Sequence, residues 1–443
     1  MSVNRQILAL SWPAIATNIT TPLLSLADVA IVGHLEKPNL IGAVAVGGTV
    51  FNILYWMFGF LRMGTTGITA QAFGAADRPL QLLTLMRSGF VALSATLVLW
   101  LFTPLVGFHI ITLIDGSGAV TADAWLYFRI VIIGAPGVLL NYVFSGWLLG
   151  LQRTRPIMWI ALFTNVFNVI LSYCLVYVFN LGIAGVGLGT AVSQLAGAVI
   201  GACVVFRVKR KLLPDVGIRK IMPDFWLKKA WRSLMSVNRD IFFRTVCLAA
   251  VTLWFTHVGA GIGGNFLSAN ALLMQFFMLF SYFMDGFAFS GEALAGRFYG
   301  ARRFEELKKC VRALIGWGVV TSAVFTVLYF VLGDLFISLL TTDTGARLVA
   351  HDYLLWAVTI PFLSFAAFTW DGVFIGLTLT RYLLIAMLLA VALFFGIYFM
   401  GRALSLSVEN ENHLLWFAFV VYLAVRGIAA TFFYKRFLKT AAS

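Results

Sequence analysis

The stretch LLSLADVAIVGHL, Leu23–Leu35, sets one acidic side chain, Asp28, in a run otherwise suited to hydrocarbon. An ionisable group at membrane depth is unfavourable unless paired, and by default it marks an ion or substrate pathway. Thr17 and Thr21 lie 11 and 7 residues before Asp28, which at 3.6 residues per turn is one helical face, and Ser25 lies beside it. Pro13 and Pro22 each remove a backbone donor and give the same segment points at which to bend. A carboxylate in this setting exchanges a proton or a small cation with its surroundings. The structural alternative is that Asp28, close to the outer end of its run, only caps the element that follows.

Further charges recur later in the chain. Asp240 and Arg244 are spaced i,i+4 and can pair along a helix. Asp285 and Glu292 fall two turns apart on one face, and Asp371 occupies another apolar run. The structural reading is that Arg244 neutralises Asp240 or Asp285 and holds its helices together. The surplus of acids over bases still predicts a negative cavity, which favours cationic substrates.

These residues need elements that cross a membrane to position them. The chain has 443 residues, 61% hydrophobic and 11% charged, with a mean hydropathy of +0.94; soluble domains carry roughly 25% charged residues. Twelve apolar runs, from Ile7–Val32 to Leu414–Tyr434, approach the roughly 20 residues that an α-helix needs to span hydrocarbon. The alternating segments of a β-barrel are absent. The expected fold is therefore all-α integral membrane, with twelve transmembrane helices.

Net charge is +14, and its distribution explains it. With a cytosolic N-terminus, most Lys and Arg fall on the inner side, above all in Arg207–Arg232 and Arg297–Arg312; Lys37, Arg347 and Arg402 fall outside. This is the positive-inside pattern, with both termini cytosolic. The basic excess reflects topology and attraction to membrane lipids, and no basic module stands apart to bind nucleic acid. The five histidines lie at outer helix ends, and the four cysteines lack disulfide or zinc spacing. Gly259, Gly261 and Gly264 satisfy GxGxxG, but no strand precedes them. Walker A, HExxH and GxSxG motifs are absent, so no catalytic residues, metal or cofactor are expected. Uphill transport then needs an ion gradient.

The chain matches itself when it is slid until Gly33 meets Gly259. At that single offset Gly74 meets Gly300, and SGWLLGLQRTR meets DGVFIGLTLTR through Gly146/Gly372, Gly150/Gly376, Thr154/Thr380 and Arg155/Arg381. Six helices per half is an even number, which predicts a parallel repeat of the kind transporters use. The expected organisation is an N-lobe over residues 1–206, a basic cytosolic linker over 207–232, amphipathic along the inner surface, and a C-lobe over 233–443.

At PLLSLADVAIVGHL, LRMGTTGITAQAFGA, NRDIFFR, DGFAFSGEALAGRFYGAR and WDGVFIG the sequence resembles the multidrug and toxic compound extrusion (MATE) family, specifically its DinF branch. The resemblance spans essentially the whole chain. It implies an antiporter of the bacterial cytoplasmic membrane that exports organic cations or amphipathic compounds against inward H⁺ or Na⁺. It further implies that Asp28 is the ion-coupling carboxylate, that Pro13 marks a bend of the first helix, and that Asn168 and Thr190 share its pocket. The family pattern Asn-x-x-Leu-Asp appears here as NVILS, so Ser172 stands where many relatives carry Asp. One carboxylate suits a proton better than a well-coordinated Na⁺. Arg244 stands where another branch has a Na⁺-site Glu. A monomer is expected. The competing expectations are a flippase for lipid-linked saccharides, which favours a cationic cavity, and a membrane-embedded enzyme.

Overall fold

The computed structural model describes residues 2–33, 39–115, 118, 120–403 and 408–442, and among these no strand occurs. That follows from the apolar sequence, because a helix satisfies its backbone polar groups internally where water is absent. The helices are α1 Val3–Gly33, α2 Asn39–Met57, α3 Phe60–Gly74, α4 Arg78–Asp115 and α5 Thr121–Val131. A 3₁₀ turn, Ile132–Gly134, leads into α6 Ala135–Gly150, and α7 Thr154–Tyr173 ends in a π-helical turn, Cys174–Val178. There follow α8 Gly182–Leu212, the short α9 Ile218–Phe225, and α10 Lys228–Ile262. The remainder is α11 Gly264–Gly300, α12 Phe304–Leu340, α13 Thr344–Gly376, α14 Thr380–Arg402 and α15 Val408–Ala442. Eleven stretches of the described residues are long and apolar enough to cross a membrane, with α2–α3 and α5–α6 each counted as one. This is a multi-pass membrane protein.

Two compact units divide the chain. The first comprises Ala16–Asn238 with Gly300–Arg302; the second comprises Met1–Ile15, Arg239–Tyr299 and Arg303–Ser443. α1 thus passes from the second unit to the first shortly after Pro13. Its initial part is held in the second unit through small residues of α11. Ser11 and Ser290 hydroxyls lie 2.7 Å apart, Ser290 Oγ also donates to the Ile7 carbonyl at 3.0 Å, and a Cβ on Gly286 would strike Ile15. In the first unit the core runs through Val32, Val44, Phe128, Leu139 and Val143. A second cluster joins Leu82, Trp147 and Leu148 to Leu213, Val216, Ile221 and Phe225, so the basic segment is packed through its apolar residues.

The internal repeat has a physical basis in close helix crossings. A Cβ on Gly146 would strike the carbonyl of Arg62, and a Cβ on Gly372 would strike that of Ala288, the repeat partner of Arg62. Gly150 meets Ala70 as Gly376 meets Gly296, and Gly201 meets Asn141 as Gly427 meets Ala367. Without a hydrophobic drive between helices in lipid, small residues of this kind let backbones approach and gain dispersion contacts. The helix stops repeat as well. Ala76 and Arg302 take φ of 54° and 55°, and Gln152 and Thr378 take 61° and 53°, the left-handed region that ends helices and is uncommon for residues with a Cβ.

Gly146→Val should therefore lower thermal stability in detergent by the ~1–3 kcal/mol typical of overpacking. Gly48→Ala, where an added Cβ meets nothing within 4 Å, should leave the unfolding midpoint unchanged; equal midpoints for the two variants would contradict the crossing argument.

Candidate functional site

A cavity of about 610 Å³ lies within the first unit, walled by α1, α2, α5, α6, α7 and α8. Its walls are aromatic and neutral-polar: Phe51, Tyr55, Trp56, Tyr127 and Tyr142 alternate with Asn52, Asn141, Asn165 and Gln194. Asp28 is the one charged residue among the described residues that line it. It is only 6% exposed, and its Oδ1 has no hydrogen-bond partner among the described residues.

The surroundings of Asp28 are built from three helices. On α7, Asn168 is buried and donates from Nδ2 to Thr190 Oγ1 of α8 at 3.0 Å. Thr190 lines the cavity together with Asp28. Tyr127, buried on α5, lines the same cavity. The arrangement is local: an amide of α7 sets a hydroxyl of α8 on the wall that carries the carboxylate. Asn168 Oδ1, Tyr55 Oη and Asn141 Oδ1 are buried atoms without partners among the described residues. A buried polar atom left in that state costs about 1–3 kcal/mol, so Tyr55 and Asn141, which line the cavity, offer contact points for a group that enters.

The sequence-predicted residues separate accordingly. Asp28, Asn168 and Thr190 come together, and Thr17 lines the same cavity. Ser172 is fully buried but outside the lining, one turn from Asn168, where it packs against Gly189 of α8. Pro13 belongs to the second unit. The side chains of Thr21, Pro22 and Ser25 lie outside the described residues; their backbone is helical. Tyr127, Tyr55 and Asn141 were not singled out from sequence. An amide such as Asn141 inside an apolar run was the available signal.

The charges of the second unit do not form the pairs that spacing suggests. Asp240 accepts from Arg239 at 2.9 Å and from Thr380 Oγ1 at 3.2 Å, at the first residue of α14. The favourable end of that helix dipole adds to its stabilisation. Arg244 reaches across to Asp371 of α13 instead of back along α10 to Asp240. Arg426 of α15 joins the same carboxylate at 2.9 Å, and both guanidinium groups are buried. Two cations on one carboxylate reverse the expected negative balance at this position, and three helices are tied together through it. Glu292 is buried and Asp285 half-buried on α11.

The repeat shows why the cavity belongs to one unit. The repeat partners of Asp28, Asn168, Ser172 and Thr190 are Trp254, Phe394, Tyr398 and Trp416. The last three are fully buried, and the Trp254 and Tyr398 rings lie 6.1 Å apart. Where the first unit is hollow and polar, the second carries large aromatic side chains.

The MatE family model matches residues 13–174 and again 241–399, one match in each half of the chain. The chain belongs to the MATE family. Its resemblance to the DinF branch is borne out by 36% identity over 434 residues to DNA damage-inducible protein F of Escherichia coli K12, covering 96% of this chain and 91% of that one. It is also 25% identical to a probable multidrug resistance protein NorM of Thermotoga maritima, over 77% of this chain and 73% of that one. Among solved structures, a MATE protein in the bent conformation superposes with a TM-score of 0.87 at 18% identity, covering 100% of this chain and 98% of that one. MATE proteins are transporters, and this MATE chain is not an enzyme.

Removing one member of a buried charge pair leaves an uncompensated partner and costs about 3–5 kcal/mol. Asp371→Asn should accordingly lower the unfolding midpoint sharply, whereas Asp28→Asn, with no ion pair among the described residues to break, should be near neutral. Differential scanning of the two purified variants reads this directly.

Proposed function

We propose that this chain is a secondary antiporter that exports organic cations or amphipathic toxic compounds in exchange for inward protons. The observation that carries the reading is the position of Asp28, the sole charge on the described wall of a 610 Å³ cavity with aromatic sides. Aromatic faces and one buried carboxylate suit a flat cationic guest through ring-face attraction and ion pairing. No basic side chain is among the described lining residues, so a pyrophosphate-bearing lipid has nothing to meet there.

Coupling follows from competition for one carboxylate. A proton from outside neutralises Asp28 and removes its attraction for the substrate cation. Protonation also makes one carboxyl oxygen a donor, which gives Asp28 a new polar contact to seek on the cavity wall. Thr190, with Asn168 bonded to it, adjusts with it. α1 bends at Pro13 and Pro22, the cavity contracts, and substrate leaves outward; release of the proton to the cytosol restores the charge. Fold relatives solved in bent and in straight conformations fit this scheme. Ser172 in place of a second carboxylate favours H⁺ over Na⁺ as the coupling ion. In this reading α1 is the twelfth span, both termini are cytosolic, and the monomer works in a bacterial cytoplasmic membrane. The Arg244–Asp371–Arg426 group is then a fixed tie in the second unit rather than a site that changes charge.

Efflux of a fluorescent organic cation from proteoliposomes, with ΔpH and ΔNa⁺ imposed separately, tests the scheme. Export should follow ΔpH alone and vanish in Asp28→Asn. Thr190→Ala should slow it without abolishing it. A fully coupled Asp28→Asn variant would overturn the assignment.

A further inference from the structure

The basic segment carries a surface that the transport scheme leaves unused. α9 has one continuous apolar face, and the protein covers only half of it. Ile221 and Phe225, spaced i,i+4, are 4% and 6% exposed against the first-unit core. Ile218, Met222 and Trp226, the adjoining row at the same spacing, are 54%, 51% and 64% exposed. Arg219 borders that row, Lys220 stands on the opposite side of the helix, and Lys228 and Lys229 follow at once; all four are exposed.

This arrangement is held in place. Arg87 of α4, itself buried, donates from Nε to the Phe225 carbonyl at 3.0 Å and from Nη2 to the Asp224 carbonyl at 2.5 Å. Trp231 Nε1 donates to the same Phe225 carbonyl at 2.7 Å. The final carbonyls of α9, which no helix satisfies internally, are therefore fixed to the wall of a spanning helix. Phe90 of α4 packs edge-on to Phe225, Trp226 and Trp231 at 5.5–6.2 Å. Phe90 is itself 46% exposed and continues along α4 into Leu93 and Leu97, also exposed. The uncovered row of α9 is thus continuous with the lipid-facing side of a span.

An apolar row beside clustered Lys and Arg, anchored to a spanning helix, is the pattern of an interfacial helix. We propose that α9 is a phospholipid-binding helix. Ile218, Met222 and Trp226 seat among the acyl chains just below the headgroups, and Arg219, Lys220, Lys228 and Lys229 bind the phosphates of anionic phospholipids. Charge decides the partner, because a leaflet rich in anionic lipid draws such a cluster to its surface. Arg87 sets the depth by fixing the helix to α4.

The test uses the full chain in nanodiscs, with Cys174, Cys203, Cys247 and Cys310 replaced by Ser and a nitroxide on Met222→Cys. Collision with oxygen and with a water-soluble nickel chelate reads the depth, and Asp215→Cys, at an exposed side chain, is the aqueous reference. In discs containing phosphatidylglycerol the label at 222 should favour oxygen, and the preference should weaken in phosphatidylcholine alone. Replacing Arg219, Lys220, Lys228 and Lys229 with Gln should abolish that lipid dependence. Nickel accessibility at 222 equal to that at 215 would overturn the proposal, as would a phosphatidylglycerol response unchanged in the four-Gln variant. Dipolar broadening between labels would assign the face to a second copy and overturn it too. No gradient is imposed, so the outcome is independent of the transport reading.

Discussion

A glycine laid against a neighbouring helix's backbone is the contact on which the site depends. Gly146 lets α6 lie directly on α3 at Arg62, and Gly197 and Gly201 bring α8 onto Thr164, Asn141 and Phe144. Gly189 does the same for α8 against Ser172 of α7, and the next residue, Thr190, thereby comes within hydrogen-bond distance of Asn168. Any side chain at 189 would push the two helices apart and break that 3.0 Å bond. The polar groups around Asp28 are placed by residues that have no side chain at all.

The same logic shows why the sequence was informative in some places and silent in others. Helical spans, the internal repeat and a buried carboxylate on α1 all follow from pattern within the chain, because length, periodicity and isolated charge can be read without knowing the packing. Asn168 and Thr190 became readable through family resemblance. The partner of Arg244 was not readable: i,i+4 spacing describes one helix, whereas the guanidinium reaches α13, and Arg426 arrives at the same carboxylate from α15. Tyr127 and Tyr55 were equally silent, since a phenol in an apolar span is ordinary and only the cavity wall makes it distinctive.

The two units also show how one framework supports different interiors. Their helix crossings agree at Gly146/Gly372, Gly150/Gly376 and Gly201/Gly427, whereas Gly189 and Gly197 of the first unit are matched by Leu415 and Leu423. The filling differs as well. Trp416, Phe394 and Tyr398 occupy positions at which the first unit has Thr190, Asn168 and Ser172, and dispersion contacts among rings take the place of a polar network. At these positions one interior is filled by rings and the other holds a cavity.

The paired left-handed stops, Ala76 with Arg302 and Gln152 with Thr378, carry a record of descent. None of the four is glycine, so each copy reached the same turn with a different side chain. A chain assembled by joining two copies of a shorter ancestor would keep such turns, because a shifted stop misplaces every residue after it. Between the stops the crossing glycines were kept, Gly146 with Gly372 and Gly150 with Gly376, while other side chains diverged. Inheritance here was of punctuation, and the two halves have since been rewritten between the same marks.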